Sequence, residues 1–327
     1  MRCTVLALLE VDHIVIEYRT RRGVARAVND VSFSMEKGET LGLVGESGSG
    51  KSTLGFALIR LLPSPGVVAG GGITFEGQNL LRLNEKRMQS LRGNRIAFVF
   101  QNPMTSLNPV KTVESHFVEL LRTHKPQMSQ NEASGRARAL LDELGIPAER
   151  VQDYPHQFSG GMRQRIMIGL AIALNPSLAI ADEPTTALDV IVQDRILDIL
   201  KDLSQKHEMA LVLITHDLSI VLERCDNVFV MYAGHQVEYG KNEQIYRSPK
   251  HPYTQGLLNS IPNIGLDYQK LTAIPGSPPD LLNMPSGCPF SPRCPYAMPV
   301  CKMQVPPLFS LEIGHLVRCF LYGGAAD

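Results

Sequence analysis

The run Gly45-Glu46-Ser47-Gly48-Ser49-Gly50-Lys51-Ser52 has the spacing G-x-x-x-x-G-K-[ST], a loop built to cradle the phosphates of a nucleoside triphosphate. Its glycines let main-chain N–H groups turn inward around anionic oxygens. A helix starting at its end adds partial positive charge. Lys51 is placed to reach the β- and γ-phosphates, and the Ser52 hydroxyl to ligate Mg2+. The expected ATP-binding set is Gly45, Glu46, Ser47, Gly48, Ser49, Gly50, Lys51, Ser52 and Thr53. The bland alternative is a glycine-rich turn that binds nothing. It gives no reason for all four fixed positions to be filled.

Two further groups can do chemistry. The apolar run Leu178-Ala179-Ile180-Ala181 ends in Asp182-Glu183. Strand tips of a parallel sheet are where ligands collect. Asp182 is placed to hold Mg2+ and Glu183 to polarise an attacking water. An acidic pair alone is a weak signal, because surface strand ends often carry acids; a phosphate loop upstream strengthens it. His216 follows the run Leu211–Thr215 and is placed to contact a γ-phosphate, although a histidine after a strand is usually an ordinary loop residue. Phe158-Ser159-Gly160-Gly161-Met162-Arg163-Gln164-Arg165 opens a predicted helix running to about Leu174, with Ser159 as cap. This is a second anion-binding helix start, and one ATP needs only one. The economical reading is that it binds the γ-phosphate of an ATP held by another subunit.

These residues need particular elements to position them. Leu41-Gly42-Leu43-Val44 reads as a buried strand feeding the phosphate loop, and Thr53–Leu62 as the helix leaving it. Residues 63–72 read as a Pro/Gly loop before a strand at 73–76. Further strands are expected at Ile96–Phe100, Leu178–Ala181, Leu211–Ile214 and Val228–Tyr232, with a helix at Val190–Leu203. The alternation predicts an α/β fold with a mostly parallel sheet. Residues 103–175 read as helical throughout, with Val113–Arg122 and Glu132–Leu144 amphipathic, and predict a helical subdomain. Thirteen of the 22 prolines and four of the six cysteines lie after Ser248, which sets an expected boundary between residues 1–247 and 248–327.

The 327 residues allow two domains, and a hydrophobic fraction of 44% is ample for a core. Lys+Arg and Asp+Glu are both 32, and this zero balance argues against a broad nucleic-acid footprint. The longest uncharged stretch, Ile166–Ala181, is broken by Asn175-Pro176, so neither piece is long enough to span a bilayer. The first eleven residues are too short and too soon followed by acids for a signal peptide. A cytosolic protein is expected.

The chain resembles the nucleotide-binding subunit of an ABC transporter. The phosphate loop, the signature at Phe158–Met162, Asp182-Glu183, the turn Ala187-Leu188-Asp189 and His216 carry the resemblance in the family's order. It implies that Gln101 contacts Mg2+ and faces the membrane partner, that Tyr18 stacks on adenine, and that Asp189 lies in a dimer-interface turn. It implies an α/β ABC-type cassette with a helical signature subdomain and a Pro/Cys-rich extension. Ser159, Gly160 and Gly161 then contact the ATP of the partner subunit. Gln101–Pro109, Tyr154-Pro155-His156-Gln157 and His251-Pro252-Tyr253-Thr254 are similar to the dipeptide/oligopeptide importer subfamily, which also includes importers of nickel, glutathione and some oligosaccharides. Met162 stands where the signature commonly has glutamine. The resemblance implies a peripheral ATPase on the cytoplasmic side of the inner membrane. It implies a second cassette, a related but different chain with a homodimer as the alternative, two permease subunits and an external substrate-binding protein as partners, with no nucleic acid. A soluble ABC ATPase acting on nucleic acid or the ribosome is the alternative of another class; it would show a long coiled-coil insert, zinc hooks or two cassettes in one chain. A phosphate-loop kinase would not need the signature or His216.

Cys288, Cys294, Cys301 and Cys319 are spaced C-x5-C-x6-C-x17-C. Four cysteines so close in a chain read as cytosolic suggest a metal site rather than disulfides. Tetrahedral sulfur suits zinc or an iron–sulfur cluster, and zinc usually has tighter pairs. The subfamily tail is similar to one that carries a 4Fe–4S cluster in some members, and that cluster is the expectation, with zinc as alternative. Cys3 and Cys225 are left over as ordinary residues.

Overall fold

A computed structural model describes residues 7–101, 107–186, 188–261 and 273–323. In chain order the strands and helices begin with β1 (Leu9–Thr20), β2 (Gly23–Met35), β3 (Thr40–Val44), α1 (Lys51–Leu58), β4 (Gly66–Phe75) and β5 (Gln78–Asn79). They continue with α2 (Glu85–Leu91), β6 (Ile96–Val99), α3 (Val113–His124), α4 (Gln130–Glu143), α5 (Gly160–Ile172), β7 (Leu178–Asp182) and α6 (Val190–Lys206). The last are β8 (Ala210–Thr215), α7 (Leu218–Arg224), β9 (Asn227–Tyr232), β10 (His235–Lys241), α8 (Asn242–Arg247), α9 (Pro252–Asn259), α10 (Pro299–Met303), β11 (Phe309–Glu312) and β12 (His315–Val317). The chain forms two compact units. One contains residues 1–35, 40–81 and 213–327; the other contains 36–39 and 82–212.

The first unit is built on two sheets. One is antiparallel, in the order β2-β1-β4-β5. In the other the strands run β11-β12-β10-β9-β3, with β3 parallel to β9 and the outer pairs antiparallel. β3 is buried along its whole length, as its uninterrupted apolar run predicts. Gly42 is required in it, because a Cβ there would lie 2.0 Å from the Val221 side chain of α7. The core includes Leu41, Leu43, Phe229, Tyr232, Val230 and Tyr253. Within this unit two expectations need correction. The helix after the phosphate loop ends at Leu58, not Leu62: Ile59 is its C-cap and Arg60 takes φ +52°. Residues 66–72 are not loop but the first part of β4, where Ile16 pairs with Val68 and Tyr18 with Gly66. Their glycines serve close backbone approach; a Cβ on Gly71, at φ +83°, would lie 2.3 Å from the His13 carbonyl oxygen.

In the second unit β6 and β7 pair in parallel, with Phe98 opposite Ile180 and Val99 opposite Ala181. Three helices, α3, α4 and α5, lie in the described part of residues 103–175, with two 3-10 turns, at Ala148–Gln152 and Pro155–Gln157, between α4 and α5. Ser129 and Glu132 form a reciprocal capping box at the start of α4. Phe117, Leu140, Leu141, Ile166 and Ile168 are fully buried. Gly169 lets the helices approach, since a Cβ there would lie 2.6 Å from the Leu144 side chain and 3.2 Å from the Phe117 ring.

Candidate functional site

In the first unit the loop between β3 and α1 has the form its sequence predicts. Gly45, Gly48 and Gly50 have φ of +156°, +77° and +101°. At Gly45 and Gly50 a Cβ would stand 2.1 Å from the carbonyl oxygens of Met231 and Ala27, so a larger residue is excluded by backbone. Lys51 is buried, and its Nζ donates to the carbonyls of Gly45 at 2.7 Å and Glu46 at 3.0 Å and to Ser49 Oγ at 3.3 Å. The ammonium is thus held inside the loop, with α1 beginning at the same residue. Ser52 and Thr53 occupy the first turn of α1, and Tyr18 Oη lies 3.4 Å from Thr53 Oγ1. Tyr18 and the loop residues from Gly45 to Thr53 therefore belong to one compact unit. His216, in the same unit, is exposed just beyond β8, and the Asp217 side chain caps α7.

The second unit gathers the acidic strand end. Asp182, the last residue of β7, is 4% exposed. Glu183 follows at φ +43°, a conformation that costs a non-glycine residue energy and that clusters at functional sites. Its Oε2 accepts from Gln101 Nε2 at 2.9 Å and from Thr186 Oγ1 at 2.9 Å. The glutamine after β6 and the carboxylate after β7 are thus brought into direct contact. Ser159 caps α5 by accepting the Met162 N–H at 3.3 Å, and Gly160 and Gly161 form its first turn. A Cβ on Gly161 would lie 2.5 Å from a Val192 methyl group of α6. Asp189 is exposed and caps α6 through the Val192 N–H at 3.0 Å. Residues 102–106 of the glutamine motif, Ala187 of the turn and Cys3 lie outside the described residues.

The tail cysteines differ from expectation. Cys288, Cys294, Cys301 and Cys319 are free thiols. Among the described residues no three His, Cys, Asp or Glu side chains gather as a metal-holding group, so the expected cluster ligands are not assembled. The thiols do share one neighbourhood. Cys288 N–H donates to the Cys301 carbonyl at 2.8 Å. Burial pushes the Cys288 and Cys319 thiols up to about 11, backbone N–H groups of Phe290 and Leu321 work the other way, and charge on the other cysteines adds to the rise.

Sequence reasoning missed what holds the phosphate loop from behind. The Glu46 carboxylate pairs with Arg293, and the Glu46 N–H with Tyr253 Oη. Tyr253 was visible only as part of the His-Pro-Tyr-Thr motif, and nothing near Arg293 in sequence signals its partner.

A phosphate loop at the start of α1 and, in the second unit, a strained acid after β7 are the parts of a nucleotide-hydrolysing protein, and the family match makes it a cassette of the ABC class. The chain matches the ABC transporter family model over residues 28–186, and the model for the oligopeptide/dipeptide transporter C-terminal region over residues 237–301. It is 48% identical to the oligopeptide transport ATP-binding protein OppD of Salmonella typhimurium, over 96% of this chain and 93% of that one. It is 46% identical to the dipeptide transport ATP-binding protein DppD of Escherichia coli, over 96% of each. Among solved structures, the ATP-binding cassette MJ0796, a dimer in a post-hydrolysis state bound to ADP and Pi, matches with a TM-score of 0.65 and 26% identity, covering 72% of this chain and 98% of that one. The chain belongs to the ABC transporter ATP-binding proteins, in the branch that carries the oligopeptide/dipeptide C-terminal region. No described helix is long and apolar enough to cross a membrane.

Proposed function

We propose that this chain is the ATP-hydrolysing subunit that powers import of di- and oligopeptides through a separate pair of membrane permeases. The observation that carries it is the phosphate loop itself: Lys51 is buried and turned inward by two loop carbonyls, where glycines admit no side chain. The peptide cargo rests on the relatives' names and on the C-terminal region they share. Residues 1–247 form the cassette, 103–175 its helical signature subdomain, and 248–327 the extension.

In this reading the loop residues Gly45 to Thr53 hold the triphosphate and Tyr18 stacks on adenine. Ser52, Gln101 and Asp182 serve Mg2+, which neutralises charge on the phosphates when bound. Glu183 orients and deprotonates the attacking water, with Gln101 and Thr186 donating to its Oε2 and so fixing the carboxylate. His216 meets the γ-phosphate. Ser159, Gly160 and Gly161 meet the ATP of a second cassette, a different chain, with Asp189 in the turn at that contact. The permeases anchor the subunit on the cytoplasmic side of the inner membrane, and an external binding protein delivers cargo to them. The test is ATP hydrolysis by the purified transporter. Glu183→Gln should retain MgATP while phosphate release falls by about 10²-fold or more; full-rate hydrolysis by that variant contradicts the assignment.

For the tail the reading is a 4Fe–4S cluster held by Cys288, Cys294, Cys301 and Cys319. Four free thiols are the right donors, and main-chain N–H groups two residues on, at Phe290, Tyr296 and Leu321, already point at three of the sulfurs. Binding would draw the sulfurs together, in a structural role. Iron and acid-labile sulfide on anaerobically purified protein test it: about four of each per chain is the expected result, zinc points to the alternative, and neither metal contradicts the reading.

A further inference from the structure

One residue of the phosphate loop is fastened at three points. The Glu46 carboxylate takes two bonds from Arg293, Nη1 to Oε2 at 2.7 Å and Nη2 to Oε1 at 3.0 Å. The Glu46 N–H donates to Tyr253 Oη at 2.8 Å. The Glu46 carbonyl accepts from Lys51 Nζ at 3.0 Å. The first two partners lie 247 and 207 positions away in the chain, in the C-terminal region.

Both partners are themselves fixed. The Arg293 side chain is 6% exposed, against 26% for Glu46. Its Nε donates to the Pro275 carbonyl at 2.8 Å, and Nη1 also donates to Tyr232 Oη at 3.2 Å. The guanidinium carbon stands 5.7 Å from the Tyr232 ring centroid and 6.0 Å from that of Phe290. Tyr253 is fully buried, 4.7 Å from Tyr232 and 5.4 Å from Phe290 between ring centroids. Burial opposes the charge on Arg293, yet the Glu46 carboxylate and Tyr232 hydroxyl hold it further above its ordinary range. This is a planar fork on a carboxylate with its remaining donors occupied, a geometry lysine cannot reproduce.

A carboxylate in a phosphate cradle presents a problem, because it repels the ligand. The two-pronged bond from Arg293 offsets that charge. It also sets the position of the Glu46 carbonyl, one of the two that orient Lys51. Small misplacements of such groups cost much in binding.

We propose that Arg293, with Tyr253, is a positioning residue of the nucleotide site, so that the C-terminal region is a working part of the phosphate loop. The inference rests on the ATP-binding reading above. Its further content is that residues outside the cassette motifs set nucleotide affinity.

The test uses the full-length chain with mant-ATP and Mg2+, together with ATP turnover by the purified transporter that contains it. Arg293→Gln should raise the Kd about tenfold, the scale of a typical coupling between sites. Turnover at saturating ATP should stay within about twofold of wild type, since binding and not the chemical step is altered. Arg293→Lys should fall between the two. Glu46→Gln combined with Arg293→Gln should bind no more weakly than Arg293→Gln alone, because both changes break one link. A wild-type Kd in Arg293→Gln overturns the proposal, and so do fully additive losses in the double variant. If Arg293→Gln does not fold, Arg293→Lys decides: a wild-type Kd there overturns the proposal. Wild-type protein that binds no mant-ATP defeats the nucleotide reading itself, which separates the two failures.

Discussion

Gly50 joins the phosphate loop to α1 at φ +101°, and the Ala27 carbonyl fills the space where a side chain would begin, 2.1 Å from an ideal Cβ. Gly50→Ala must therefore shift backbone in β2 or in the loop that aims Lys51. Expected outcomes are loss of mant-ATP binding and a lowered melting temperature; unchanged binding would mean the loop tolerates the shift and is less constrained than its geometry indicates. The same scale shows what sequence makes legible. A phosphate loop is readable because its chemistry is contiguous: eight neighbouring residues fix the turn, the charge and the helix start. The bond between Arg293 and Glu46 was not readable, since arginine and glutamate are common and 247 positions separate them. Glu183 lies between these cases. Its identity follows from the motif, whereas its φ of +43° and its contact with Gln101 appear only in the folded chain.

Among the elements, α5 shows how local signals set a boundary. Ser159 has extended backbone and accepts the Met162 N–H, and two glycines follow it into the first turn. Ser159→Ala removes that acceptor and should cost about 1 kcal/mol of stability in urea unfolding, the usual size of an N-cap. In the proposed function the same change should cost transporter ATPase activity more than stability alone explains; intact ATPase with the full stability loss would reduce Ser159 to a cap. β4 is the opposite case. Its first seven residues are Gly-Val-Val-Ala-Gly-Gly-Gly, which read as loop because glycine has low strand preference. Pairing with β1 and close backbone approach override that preference. Strand order was likewise hidden: apolar runs mark β3, β6, β7 and β9 as buried strands but do not say that β3 pairs with β9 or β6 with β7, which lie far apart in the chain, and in the antiparallel sheet β4 reaches β1 across β2, β3 and α1.

For the whole molecule, buried histidines set how stability responds to acid. His251 is 1% exposed, and burial pushes its pKa down to about 4, with Glu238 opposing. Its Nδ1 accepts the Tyr253 N–H at 3.0 Å, which requires the neutral ring. Between about 6.5 and about 4 the unfolded chain takes up a proton that the folded chain refuses. His251 stabilisation is therefore complete above the upper value and lost as pH falls toward the lower, by about 3 kcal/mol. His235, lowered by the same cause, adds in the same direction. His251→Asn keeps a capping acceptor without the titration. Its unfolding midpoint should be lower at neutral pH but fall less steeply on acidification; an unchanged slope would show that His251 does not titrate between the two states.

In the proposed function, ATP hydrolysis by this chain drives peptide uptake. The most direct measurement is uptake in the host of labelled di- and oligopeptides, with nickel ions followed in parallel, comparing wild type with Glu183→Gln. Peptide uptake should be lost in Glu183→Gln while nickel uptake stays intact. Loss of nickel uptake alone, or no loss of either, would contradict it.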